Sequence, residues 1–170
     1  MSDKDAEFRE FVTARLDSLR ALAFLTCGDW QVAEDAAVTA LSKLYGRWNR
    51  VDNREAYART IAVRAAIDET RRPWWRREQS HGDALPEMPV DGGHHAVDER
   101  LRIQQALSRL PAKLRAVLVL RFLEEMSVQE TAAALRWPEG TVKAYTSRGL
   151  EALRQILDER REGRRAFRNG

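Results

Sequence analysis

Ser127-Val-Gln-Glu-Thr-Ala-Ala-Ala-Leu-Arg-Trp-Pro-Glu-Gly-Thr-Val-Lys-Ala-Tyr-Thr-Ser-Arg148 is the stretch that decides the fold of this chain. Ser127 and Glu130 have the Ser-x-x-Glu spacing of a capping box, in which hydroxyl and carboxylate each satisfy an orphan amide at a helix start. Ala132 and Ala133 are small enough to let a second helix approach closely. Pro138 suits the first turn of that second helix, where no amide partner is lost, and Glu139 suits the positive end of its dipole. Val142, Thr146, Gly149, Leu150 and Leu153 then recur at helical spacing, which predicts a core face and leaves Thr141, Lys143, Ala144, Ser147 and Arg148 outward. Two short helices around a tight turn, the second with small and basic residues outside, are how a helix-turn-helix presents itself in sequence. Such side chains reach base edges and phosphates in a major groove. A helical hairpin with a solvated basic face fits the same segment.

Composition bounds the rest. The chain has 170 residues, 44% hydrophobic and 32% charged, which describes a soluble globular protein with room for one ordinary domain or two small helical ones. No apolar run approaches the roughly 20 residues of a membrane span, and Met-Ser-Asp-Lys-Asp is too polar to open a signal peptide, so a cytoplasmic protein is expected. The single cysteine, Cys27, excludes an internal disulfide and a Cys-rich zinc site, and reads as a small buried residue between two helices. A net charge of +3 makes nucleic acid a plausible partner without securing it, so the local placement of arginines carries more weight.

Three helical segments precede a break. Phe8, Phe11, Val12, Leu16, Leu19, Leu22 and Ala23 follow one helical face that ends near Thr26-Cys27-Gly28. Asp29 is a good N-cap for a second helix, whose apolar stripe is Ala33, Ala36, Ala37, Ala40, Leu41, Leu44 and Trp48, flanked by Glu34, Asp35 and Lys43. Arg50 to Arg54 is a polar turn, and Tyr57, Ala58, Ile61, Ala62 and Ala65 predict a third helix carrying Arg59, Arg64, Arg71 and Arg72. From Pro73 to about Val97 the pattern fails among three prolines and three glycines, the composition of a linker. Helical spacing resumes with Leu101, Leu107 and Leu110, restarts after Pro111 with Leu114, Val117, Leu118 and Phe122, and runs into the helix-turn-helix. The fold class is therefore all-α: two small helical domains on a flexible linker, the second a four-helix unit. After Leu157 the chain becomes Arg-rich and reads as a fraying or disordered end, too short for a further regulatory domain.

A small helical domain, a linker and a helix-turn-helix domain in that order resemble the extracytoplasmic-function sigma factors of bacterial RNA polymerase, in particular their actinobacterial SigE-like group. The resemblance rests on Leu25-Thr-Cys-Gly-Asp-Trp-Gln-Val-Ala-Glu-Asp35 in the first domain. In the second it rests on the run from Leu107 to Thr131 and on Gly140-Thr-Val-Lys143. It implies sigma region 2 over residues 1–72, a linker over 73–96, sigma region 4 over 97–157 and a basic tail over 158–170. It further implies that Glu34, Asp35, Val38 and Thr39 face core polymerase, whose clamp and flap regions are the expected partners, and that no cofactor is needed. Trp48, Asn49, Arg50, Asn53, Tyr57, Arg64, Arg71 and Arg72 would then handle the -10 element of promoter DNA. Thr141, Lys143, Ala144, Ser147 and Arg148 would read the -35 element. Members of the family are commonly held inactive by an anti-sigma factor clamped between the two domains.

The chemistry agrees with that division, since melting a duplex needs a pocket for an unstacked base and the turn from Trp48 to Asn53 supplies a ring, amides and guanidinium. Trp48 reads equally well as core. The chain departs from the family at Val38-Thr39, where Gln and an acidic residue are usual, and at Arg64 in place of Asn. Thr70 replaces an aromatic residue, and Arg136 stands where Gly closes the first helix of the motif, which predicts a left-handed Arg136. Two other readings stay open on residues alone. One is a stand-alone helix-turn-helix regulator that binds operator DNA without polymerase. The other is a helical metal-dependent nucleotide hydrolase built on Glu34-Asp35 and Glu124-Glu125, although such pairs are usually solvated surface. His81, His94 and His95 lack a Cys partner at zinc-ligand spacing. Arg71-Arg-Pro-Trp-Trp-Arg-Arg77 offers basic residues around aromatics, suited either to stacked bases or to packing over the first domain.

Overall fold

The computed structural model describes residues 2–70 and 94–168, which form seven α-helices and one π-helical turn with no strand among the described residues. The chain divides into two compact units, Met1–Met88 and Pro89–Gly170. The expected linker, with His81 and the Arg71 to Arg77 run, lies outside the described residues apart from the backbone of residues 94–96, which already belongs to the fourth helix.

The first unit packs three helices, α1 (Asp3–Cys27), α2 (Trp30–Gly46) and α3 (Arg54–Thr70). Its first boundary is a capping box between Ser2 and Asp5. Gly28 ends α1 at φ 74°, a left-handed conformation that glycine adopts without a Cβ clash, and its amide closes on the Phe24 carbonyl at 2.7 Å. Asp29 then caps α2, accepting the Val32 amide at 3.2 Å. Every residue of the stripe predicted for α2, from Ala33 to Trp48, is buried. The alanines on α2 face Ala58, Ala62 and Ala66 on α3, and side chains this small let the two backbones approach. Larger residues complete the buried set, and burying a leucine, isoleucine or valine side chain stabilises by about 1.5–3 kcal/mol each. Leu19, Leu22, Leu44, Val63 and Ile67 do so here, the last two beyond the stripe expected for α3.

The second unit holds α4 (His94–Ser108), α5 (Ala112–Leu118), the π-helical turn (Val119–Leu123), α6 (Val128–Leu135) and α7 (Glu139–Arg168). Phe122, expected in the core, is 50% exposed, and Leu123 beside it is similarly exposed. The cause is the π turn, in which the Glu124 amide reaches back five residues to the Val119 carbonyl at 3.0 Å. That wider turn rotates the following residues away from the face set by Val117 and Leu118, so Val119 and Leu120 fill the core instead. Leu101, another expected core residue, sits at the surface of α4, where Ala106 and Leu107 are buried, as is Leu110 in the turn after it.

The last helix is 30 residues long, not short, and it continues through the segment expected to fray. It is tied to α4 by Arg160 with Gln105 at 3.0 Å and to the turn that follows α4 by Arg109 with Glu159 at 3.2 Å. Its buried positions are Val142, Gly149 and Ile156, one every seven residues. At Gly149 an added Cβ would lie 3.0 Å from Leu118 Cγ, so α5 and α7 meet through the missing side chain. Leu150, expected inside, is pushed to the rim and left 40% exposed.

Candidate nucleic-acid interface

The helix-turn-helix forms as its caps dictate. Ser127 Oγ accepts the Glu130 amide at 3.0 Å and Glu130 Oε2 accepts the Ser127 amide at 3.0 Å, which completes the capping box. Thr131, Ala132, Ala134 and Leu135 turn inward. Of the two alanines expected to admit the second helix, Ala132 is buried and Ala133 faces solvent, while Ala134 is buried in its place. Arg136 closes α6 at φ 58° and ψ 42°, left-handed as its place at the usual glycine position requires. Pro138 sits one residue before α7 and its carbonyl accepts the Val142 amide at 3.1 Å, so it caps the helix from outside the first turn.

On α7 the outward residues fall where their spacing puts them. Lys143, Ala144, Ser147 and Arg148 are exposed and Thr141 is half-buried. The Lys143 ammonium has no ion pair among the described residues, and the Arg148 guanidinium lies 5.9 Å from the ring of Tyr145. Tyr145 in turn meets Trp137 edge to face, with centroids 5.6 Å apart. This aromatic pair braces the turn against the helix and was not singled out from the sequence. The signal available was two aromatics eight residues apart across a Pro-Glu helix start.

In the first unit the turn between α2 and α3 separates its residues sharply. Trp48 is 2% exposed, in edge-to-face contact with Phe8 and Phe11 at centroid distances of 5.4 and 5.6 Å. A ring so enclosed offers no face to a base, and of the two readings of Trp48 the core one holds. Asn49, Arg50 and Asn53 are exposed. Asn53 also caps α3, its Oδ1 accepting the Ala56 amide at 3.0 Å, so its side-chain NH2 is what remains to offer outward. Tyr57 and Arg64 are half-buried on α3, Tyr57 packed against the core, and Arg71 and Arg72 lie outside the described residues.

The outer face of α2 carries Glu34, Asp35 and Val38 in the open, with Thr39 half-buried at its margin. Val38 is 59% exposed, unusual for a branched aliphatic side chain in the middle of a helix. Glu34 is tied back to Arg20 of α1 by an ion pair. Asp35 accepts a long contact from Gln31 at 3.4 Å. Glu124 and Glu125, the second half of the hydrolase reading, follow the π turn, Glu125 at φ 54°. Among the described residues no three His, Cys, Asp or Glu side chains gather as a metal site, and no helix is long and apolar enough to cross a membrane. Cys27 is half-buried and its Sγ donates to the Asp29 carbonyl at 3.3 Å.

Comparison with known proteins agrees with this arrangement. Residues 11–76 match sigma-70 region 2 and residues 100–153 match sigma-70 region 4. The chain is 38% identical to the RNA polymerase sigma-E factor of Streptomyces coelicolor, over 89% of this chain and 86% of that one. It is 30% identical to the ECF RNA polymerase sigma factor SigW of Bacillus subtilis, over 91% of this chain and 90% of that one. Among solved structures it resembles the sigma factor RpoE of Bartonella quintana, crystallised with the anti-sigma factor NepR. The TM-score is 0.66 at 22% identity, over 89% of this chain and 97% of that one, which is a likeness of fold.

Proposed function

Since this chain belongs to the extracytoplasmic-function RNA polymerase sigma factors and directs promoter-specific transcription initiation, we propose that its two units divide that task between the two promoter elements. The unit built over residues 1–72 docks on core polymerase through Glu34, Asp35, Val38 and Thr39. It opens the -10 element with Asn49, Arg50 and Asn53, aided by Tyr57, Arg64, Arg71 and Arg72. Trp48 serves this turn from beneath, as its support. The unit over residues 97–157 reads the -35 element through Thr141, Lys143, Ala144, Ser147 and Arg148. The observation that carries the reading is the exposed face of α7, where an ammonium, a guanidinium and a hydroxyl stand beside small residues that let the helix seat in a groove.

In this reading the protein has no catalysis of its own and works in the cytoplasm, where polymerase and promoter are. An anti-sigma factor, as in the Bartonella complex, is the regulatory partner proposed. Two small units present their elements at the right separation only when a larger body fixes them, so binding energy is withheld from the free chain. The test is fluorescence anisotropy on a promoter duplex at physiological salt, with the chain alone and with core polymerase. Weak, unspecific binding alone and specific binding with core support the proposal. Nanomolar, sequence-specific binding by the free chain would instead establish a stand-alone operator-binding regulator.

A further inference from the structure

The first two turns of α1 hold the turn assigned above to the -10 element. Glu7 Oε2 accepts the indole Nε1–H of Trp48 at 3.1 Å and lies 3.5 Å from Arg54 Nη1. The Arg54 guanidinium sits 3.8 Å from the centre of the Trp48 ring, and its Nε donates to the Trp48 carbonyl at 3.3 Å. Trp48 and Arg54 flank the segment from Asn49 to Asn53, exposed except at Val51, so one carboxylate bridges both ends of the turn. A second clasp lies half a turn earlier, where the Tyr45 hydroxyl donates to Asp5 Oδ1 at 2.6 Å and the Lys4 ammonium lies 3.9 Å from the Tyr45 ring centre. The hydrogen bond from Tyr45, with those from Ser2, holds the Asp5 carboxyl below its ordinary range, and the same bond raises the Tyr45 hydroxyl. All of these α1 residues precede Phe11, where the match to sigma-70 region 2 begins.

We propose that Glu7 is a positioning residue for promoter opening: by holding Trp48 and Arg54 together it fixes the turn whose outer groups meet the separated strand. The proposal rests on the assignment of that turn to the -10 element. The contact with Arg54 is long and exposed, and such pairs contribute little alone. The bond to the indole counts for more, because removing its acceptor leaves a part-buried N–H without a partner. A turn free to move must then be ordered during melting, which raises the free energy of the open complex.

The test assembles full-length Glu7→Ala, Glu7→Gln, Asn49→Ala and Arg50→Ala proteins with core polymerase on one promoter. Closed complexes are read by footprinting, melting by permanganate reactivity, and stability by thermal unfolding. Glu7→Ala is expected to lower the ratio of open to closed complex roughly tenfold, the factor that about 1.4 kcal/mol produces, with closed-complex formation unchanged. Glu7→Gln, whose amide oxygen still accepts from the indole, restores most of the loss. Parental melting by Glu7→Ala overturns the proposal, as does an absence of rescue by Glu7→Gln. A defect that disappears on cooling in step with the unfolding temperature also overturns it, since Glu7 would then only support the fold. Defects in Asn49→Ala or Arg50→Ala without one in Glu7→Ala sink the proposal and leave the -10 assignment standing. Normal melting by both turn variants removes the assignment and the proposal together.

Discussion

Replacing Arg136 with glycine should make the second unit more stable. Arg136 holds φ 58° and ψ 42° at the end of α6, its amide bonded to Ala132, and its side chain is exposed with no hydrogen bond or ion pair among the described residues. A left-handed conformation costs a residue with a Cβ roughly 1–2 kcal/mol, and glycine escapes that cost. Against this, glycine loses more backbone freedom on folding, by roughly 0.5–1 kcal/mol. The balance runs from about 0 to 1.5 kcal/mol, and its central gain of roughly 0.75 kcal/mol moves the midpoint of a small domain by roughly 3–6 °C. Arg136→Ala is the control, because it removes the guanidinium and keeps the strain, so it should not stabilise. Native-state hydrogen exchange of the buried amides of α5 and α7 reports this unit apart from the other. If Arg136→Gly leaves protection unchanged or lowers it, and Arg136→Ala lowers it too, then the side chain secures the turn and the strain argument is wrong.

Three further outcomes follow from the same contacts. Gly149→Val should destabilise the second unit by roughly 1–3 kcal/mol, because its Cβ meets Leu118 Cγ at 3.0 Å in a packed interface, and an unchanged unfolding midpoint would contradict that packing. Trp48→Ala should cost the first unit roughly 3–5 kcal/mol, as loss of a buried aromatic does, measured by calorimetry; a loss confined to melting, with full stability, would return the ring to the base pocket. Val38→Gln with Thr39→Glu should strengthen binding to core polymerase and Asp35→Ala should weaken it, each with little change in unfolding temperature. Equal core affinity for parent and both variants would show that α2 is not the polymerase contact.

The parts of this fold that local chemistry governs are readable from the sequence. The Ser127-Glu130 box, the Asp29 cap, the Gly28 stop and the all-buried stripe of α2 each depend on residues within a turn or two of one another. Ser2 and Asp5 form a second capping box that the sequence pattern conceals, because Asp stands where Glu or Gln is the usual signal. Phe122 and Leu150 depart from their expected burial for different reasons. Periodic spacing assumes an unbroken helix, and the π turn moves the buried face at Phe122 without marking the hydrophobic pattern. The last helix runs unbroken past Leu150, but its close approach to α5 is centred on Gly149, so the neighbouring leucine falls at the margin of the buried face. The length of α7 was hidden for a further reason, since Arg109 and Gln105, fifty or more residues away, steady its basic end.

The candidate site was legible to a similar degree. Outward residues on α7 follow from the helical repeat alone, and the structure leaves Lys143, Ala144, Ser147 and Arg148 exposed with Thr141 half-buried. Trp48 shows the limit: a ring in a polar turn suits a base pocket or a core equally well, and only the positions of Glu7, Phe8, Phe11 and Arg54 decide between them. Those partners lie up to 41 residues away in sequence, or in the case of Arg54 serve also to start α3. Nothing in local spacing announces them.

In the proposed division of labour, the exposed face of α7 selects promoters at the upstream element while the first unit opens the downstream one. The direct measurement is in vitro transcription with core polymerase on a pool of randomised promoters, comparing transcripts obtained with the parent chain and with Arg148→Ala. A lost bidentate base contact costs roughly 1–3 kcal/mol, so the variant should relax preference at one or two adjacent positions of the -35 element and leave the -10 preference intact. An Arg148→Ala profile that matches the parent at every -35 position, or that changes only at the -10 element, would contradict the account.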